Sequence, residues 1–213
     1  MDRDAALDRV EAILRTVETD PMPVPVREVW VYGDVALGLD PVERLDVYVT
    51  KDILLRDEEA DAAAAERHGV RGVGRTVSAE WAERFPEHLR ANDSGHAAPE
   101  RCLAAHLLPD DEPVHLEVCN APFEDNVTQR LEGALARDAY GEVLDPRGVC
   151  LWVDGTRAEE SLERLRDGDL PFPTLPDALE MLGADGEAAA EAAEAVRARR
   201  LDQDGASVRG DVV

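Results

Sequence analysis

Two apolar runs, residues 27–32 and 44–50, lie only about a dozen residues apart within the stretch VWVYGDVALGLDPVERLDVYV, residues 29–49. REVWVY reads as a strand ending at Gly33, and RLDVYVT alternates Leu45, Val47 and Val49 with Asp46 and Tyr48, the period of two that gives a strand two different faces. A parallel pair of neighbours needs a crossover of about a dozen residues or more, usually helical. The interval instead holds Gly38 and the pair Asp40, Pro41, which mark a turn after one short helical turn. A strictly alternating parallel topology is disfavoured, and a small mixed sheet flanked by helices, an α+β fold, is expected.

The other elements agree with that fold. Ala6, Leu7, Val10, Ile13, Leu14 and Val17 form one stripe of a helix over 2–18, which DPMPVP stops. Helices are expected over about 54–67, 78–91, 99–108 and 123–138, the last with Phe123, Val127, Leu131 and Leu135 at spacings of four. PVHLEVC, 113–119, is a third strand with Val114, Leu116 and Val118 on one face and His115, Glu117 and Cys119 on the other, and GVCLWVD, 148–154, is a fourth. Thr156 with Glu159 has the spacing of a capping box for a following helix. After the proline-rich DLPFP comes a short helix, then a helix over 186–201 whose inner face is mostly alanine and should dock weakly. These elements divide into an α+β domain, 1–154, a helical appendage, 155–201, and a flexible tail, 202–213.

Charge excludes one class of partner. With 47 acids against 23 bases the formal net charge is −24, and Lys51 is the only lysine. Such a surface repels nucleic acid. The 44% hydrophobic content and clear periodicities indicate a packed protein, not a solvating coil. Near absence of lysine with abundant Ala, Asp and Glu resembles proteins of extreme halophiles, and implies screened self-repulsion in concentrated salt. Cys102, Cys119 and Cys150, odd in number and set in apolar segments, read as core thiols. The acidic, amphipathic N-terminus has no signal-peptide pattern and no stretch is long enough to span a membrane, so a cytoplasmic location and no membrane partner are expected.

The stretch 29–49 also resembles the signature of the minimal nucleotidyltransferases of the polymerase-beta-like superfamily, in which a strand ends in Gly-Ser, a short helix with a second glycine follows, and the next strand carries Asp-x-Asp. Gly33 and Gly38 match the two glycines, Asp46 matches the first strand acid, and Glu117 on the third strand matches the later acid. The resemblance implies a nucleotidyltransferase-like fold, magnesium held by Asp46 and Glu117 as catalytic residues, and a ligand near Gly33, Asp34, Gly38, Tyr48 and His115. Magnesium would set a triphosphate in place, and a glycine turn would let backbone N–H groups approach phosphate. Two departures weaken this chemistry. Tyr48 replaces the second acid, removing a metal ligand, and Asp34 replaces the serine, adding a negative charge where phosphates would sit. The implied protein is a degenerate member that binds a nucleotide-like ligand or a protein partner, with magnesium as its cofactor only if it is active. The alternative is an active magnesium-dependent enzyme that moves a nucleoside monophosphate onto a protein or small molecule, with Asp40 or Glu43 of the loop as a relocated acid.

Other groupings have a chemical reading and a plainer one. Asp46, Tyr48, His115 and Glu117 on one face could hold a transition metal, or form a hydrogen-bonded polar patch. Cys102 and His106, four apart on a helix, read as core. Arg67, His68, Arg71 and Arg75 around glycines could receive an anion, or pair with nearby acids, and VRARRL reads as a charged helix face. Serine-hydrolase, zincin and Walker motifs are absent from the sequence.

Overall fold

The computed structural model describes residues 1–55, 58–108, 112–201 and 207–210. Its sheet has the order β5-β4-β1-β2-β3-β6. The strands are β1 (Val26–Tyr32), β2 (Leu45–Lys51), β3 (Val114–Cys119), β4 (Gly148–Val153), β5 (Thr156–Arg157) and β6 (Ser207–Gly210). β1 pairs antiparallel with β2 and β4, whereas β2–β3 and β3–β6 are parallel, so the sheet is mixed as expected. The short β1–β2 connection forces its pair to be antiparallel; the long helical excursion between β2 and β3 permits a parallel one.

Alternation along the strands feeds two layers of helices. Val29, Val31, Leu45, Val47, Val49, Leu116 and Val118 pack with α1 (Arg3–Thr19), α4 (Pro99–Leu107) and α6 (Glu159–Asp167). Asp2 caps α1 by accepting from the Ala5 N–H, and the α1 stripe is buried as its spacing predicts. On the other face Tyr32, Tyr48 and Cys119 meet Phe123 and Val127 of α5 (Phe123–Arg137). Burying both faces explains why β2 and β3 carry no exposed residue. A further cluster joins Leu131 and Ala134 of α5 to Leu175 and Leu179 of α7 (Leu175–Met181) and to Ala188, Ala189, Ala192, Ala193 and Val196 of α8 (Gly186–Leu201).

Four local expectations are corrected. The helix placed over 54–67 is α2 (Glu58–His68), and residues 52–55 are irregular. The helix placed over 78–91 is α3 (Ala79–Arg84), ended by Pro86, which starts a separate 3-10 turn at Pro86–His88. Thr156 does not cap α6: Asp154 and Gly155 both have positive φ, the geometry of a two-residue hairpin, and Thr156 pairs with Val153 in β5. Within the segment expected as a flexible tail, Ser207–Gly210 pair with β3; residues 202–206 and 211–213 lie outside the described residues.

Candidate functional site

Register brings the sequence-marked residues onto adjacent rungs. Tyr32 pairs with Asp46, and Asp46 with His115; Trp30 pairs with Tyr48, and Tyr48 with Glu117. The third strand therefore does lie beside the second, and Asp46 and Glu117 share the face under α5 and α8. Both carboxylates are 0% exposed.

A buried carboxylate without a partner would take up a proton, because desolvation costs several kcal/mol per ion. Here the partners are arginines. Arg44 grips Asp46 Oδ1 through Nε at 2.8 Å and Nη2 at 2.6 Å, and Arg200 of α8 places Nη2 3.1 Å from Asp46 Oδ2. Arg130 of α5 places Nη2 2.6 Å from Glu117 Oε2, and the His115 Nε2 lies 3.3 Å from Glu117 Oε1. His115 Nδ1 is 2.6 Å from Ser207 Oγ on β6.

The two acids differ in their titration. Burial pushes the Glu117 carboxyl up, but hydrogen bonds with His115 and Arg130 and the Arg130 charge pull harder, bringing it from 4.5 to about 2. Burial dominates at Asp46 and holds its pKa above 3.8, against the pull of Arg200 and Arg44. One carboxylate oxygen of each acid, Asp46 Oδ2 and Glu117 Oε2, has an ion pair but no hydrogen-bond partner among the described residues.

The Gly33 turn is present, with φ +68, but it approaches a guanidinium. A Cβ built on Gly33 would lie 2.5 Å from Asp46 Oδ2 and 2.9 Å from Arg200 Nη2. Asp34 Oδ1 is 2.7 Å from that same Nη2, while its Oδ2 accepts from the Glu43 N–H. Gly38 is set apart: its nearest neighbours are atoms of Gly168, beyond α6. Asp40 and Glu43 are exposed, so the acid that stands with Asp46 is Asp34. Tyr48 is wholly buried, donating to the Ala121 carbonyl at 2.7 Å, accepting from Asn126 Nδ2 at 2.8 Å, and meeting the Phe123 ring edge-on.

Magnesium takes about six oxygens in octahedral geometry, several of them water. Oxygens of Asp46 and Glu117 face guanidinium and imidazole nitrogens, and the Tyr48 hydroxyl is spent on core contacts, so the donor set does not fit the ion. Among the described residues no group of three or more His, Cys, Asp or Glu is placed to hold a metal.

The remaining groupings take their plainer forms. Cys102 and Cys119 are buried and Cys150 is half-buried, and none of the three is joined in a disulfide. His106 packs against Trp81, Phe85 and His88. Arg67 pairs with Glu83, Arg75 with Asp61, and Arg71 donates to the Ser94 carbonyl. At the opposite ends of the strands, Arg27, Glu28, Thr50, Asp52, Asn120, Pro122 and Asp154 line a half-open depression of about 210 Å³. Among the described residues no helix is long and apolar enough to cross a membrane.

The decisive side chains that sequence reasoning missed are Arg44, Arg130 and Arg200. Arg44 stands two residues before Asp46, the spacing that puts strand neighbours on one face, and could have been found. Arg130 sits four residues after Asn126 on α5, whose packing on this face was not specified. For Arg200, within what read as a solvated helix face, no local signal exists.

No curated protein and no solved structure matches the chain. A family model covers residues 2–213, nearly all of the described fold, and by that match the chain belongs to a family of unknown function (DUF7095).

Proposed function

We propose that the chain is a catalytically degenerate nucleotidyltransferase-like domain that serves as a protein-interaction module in a salt-adapted cytoplasm. The observation that carries this reading is the saturation of Asp46 and Glu117 by Arg44, Arg200 and Arg130, which supply the positive charge a metal would bring. With Asp34 beside them, a triphosphate meets an added carboxylate and no metal. The depression of about 210 Å³ at the other end of the sheet is smaller than the roughly 300–1,000 Å³ of typical small-molecule sites. It suits a side chain of a partner better than a nucleotide. Directly after Asp52 on its rim, Ile53 is 62% and Leu55 90% exposed, apolar surface of the kind a protein partner covers.

Calorimetric titration of the chain with magnesium and ATP in concentrated KCl tests the reading: no magnesium-dependent heat is expected. Tight magnesium-dependent binding, lost in Asp46→Ala, would overturn it. One observation favours the active alternative, namely the placement of Asp46 and Glu117 on neighbouring rungs of one face. Label transferred from nucleotide to an acceptor by the wild type, and abolished by Asp46→Ala, would establish that alternative.

A further inference from the structure

We infer that Ser207, His115 and Glu117 form a row of nucleophile, base and orienting acid, and that the protein has an esterase activity toward activated carboxylic esters in which Ser207 is the residue acylated. Neither a metal nor a nucleotide enters this chemistry, so it stands apart from the reading of the domain as a degenerate transferase.

Register builds the row. His115 of β3 pairs with Ser207 of β6, and Glu117, two residues after His115, returns to the same face of the sheet. Ser207 Oγ is 2.6 Å from His115 Nδ1, and the other ring nitrogen, Nε2, is 3.3 Å from Glu117 Oε1. The imidazole thus meets a hydroxyl on one side and a carboxylate on the other, the two contacts that a relay of this kind requires. Such a row is defined by geometry and assembles in any chain order, which is why no local motif marks it.

The direction of the hydrogen bonds follows from Arg130. Its Nη2, 2.6 Å from Glu117 Oε2, holds that carboxyl as an anion, and an ionised carboxylate can only accept. A neutral His115 therefore carries its proton on Nε2 and leaves Nδ1 bare, so the Ser207 hydroxyl donates to Nδ1. This is the tautomer that a general base facing Ser207 needs. Exposure matches the roles: His115 and Glu117 are buried, whereas Ser207 is half-buried on the last strand of the sheet, where an electrophile from solvent meets its hydroxyl first. β6 pairs with β3 alone among the described residues, and the backbone N–H groups on the outer side of such an edge strand are the donors available to an oxyanion at Ser207.

In the step itself, Ser207 Oγ bonds to the ester carbonyl carbon and its proton passes to His115 Nδ1. The bond from that carbon to the leaving oxygen then breaks, and the leaving alcohol takes the proton from Nδ1. Water attacks the acyl-serine in the same way, giving its proton to Nδ1 and releasing the carboxylic acid as Ser207 recovers its hydrogen. Glu117 stays ionised throughout and accepts from Nε2, so it is a positioning residue, whereas Ser207 and His115 are catalytic.

A fluorophosphonate is the probe: the serine oxygen bonds to phosphorus and fluoride leaves, and peptide mass spectrometry on the full chain in concentrated KCl reads the residue modified. Ser207 should be labelled in the folded protein, while Ser78, Ser94 and Ser161 serve as internal controls and stay unmodified. Unfolding in guanidinium before exposure should remove the label. His115→Gln, shown folded by circular dichroism, should slow labelling roughly 10²-fold or more. Hydrolysis of nitrophenyl acetate should be lost in Ser207→Ala. Nitrogen-15 NMR of the wild type, at a pH where the ring is neutral, provides a decision that needs no variant: His115 should show a protonated Nε2 and a bare Nδ1, and the two tautomers should mix in a folded Glu117→Gln chain. Ser207 labelled no faster than the other three serines, a folded His115→Gln chain labelled at the wild-type rate, ester hydrolysis unchanged in Ser207→Ala, or a wild-type ring protonated on Nδ1 overturns the inference.

Discussion

At position 48 a phenol stands where the resemblance calls for an acid, and its surroundings suit a phenol. The ring is sealed between the sheet and Phe123, and the hydroxyl satisfies the Ala121 carbonyl and Asn126. Tyr48→Phe removes the acceptor of the Asn126 amide and leaves the Ala121 carbonyl only the long 3.5 Å bond from Thr50 Oγ1, and should cost about 1–3 kcal/mol in denaturant unfolding. Tyr48→Asp should cost about 3–5 kcal/mol, the range for an uncompensated buried charge, and should yield no magnesium binding in the same preparation. Glu117 makes a pH prediction. Its folded pKa of about 2 lies below the ordinary 4.5, so the unfolded chain binds more protons between those values. Its contribution is fully present above about 4.5 and is lost as pH falls through about 2. Asp46 runs the opposite way: its folded pKa is raised, so its ionised form weakens the fold as pH rises through that value. Acid titration of stability for Glu117→Gln should show the low-pH limb flattened relative to wild type, with lower stability at neutral pH because Arg130 loses its partner.

Among the elements, the Gly33 turn ties the pattern of the sequence most directly to the site. Gly33→Ala places a side chain at φ +68 and against Asp46 Oδ2, and should destabilise by about 1–3 kcal/mol or more, read from the unfolding midpoint. Much of this scale was legible in the sequence. The four strand candidates, the α1 stripe and α5 were marked by periods of 2.0 and 3.6, because each buries a whole face. β5 was hidden by its two-residue length, and β6 because Ser207, Val208, Arg209 and Gly210 show no alternation worth reading and depend on β3 for their pairing. The candidate site was half legible. Asp46, Tyr48, His115 and Glu117 follow from strand period and register, whereas Arg130 and Arg200 arrive from helices whose docking is a tertiary fact. Arg200 is 154 residues from Asp46 along the chain, beyond the reach of any local pattern.

For the molecule as a whole, a formal charge of −24 on 213 residues sets the conditions under which the fold is held. Raising salt from about 0.1 M to 1 M shortens the Debye length from about 10 Å to about 3 Å, which screens repulsion between surface acids while leaving the buried Arg–carboxylate pairs little affected. The thermal midpoint should therefore climb steadily with KCl over that range, and a flat or falling curve would remove the argument for salt adaptation. Both sheet faces are covered, and the second is closed at the Gly33 end by arginines, so the charge pattern inside is as deliberate as the packing. Diffraction from crystals equilibrated with manganese(II) and a non-hydrolysable nucleotide, with anomalous maps at the manganese edge, addresses this arrangement most directly. The expected result is Arg200 bridging Asp34 and Asp46, with no anomalous peak beside Asp46 or Glu117. A manganese peak shared by Asp46 and Glu117, with the arginines swung aside and nucleotide phosphates at the Gly33 turn, would contradict it.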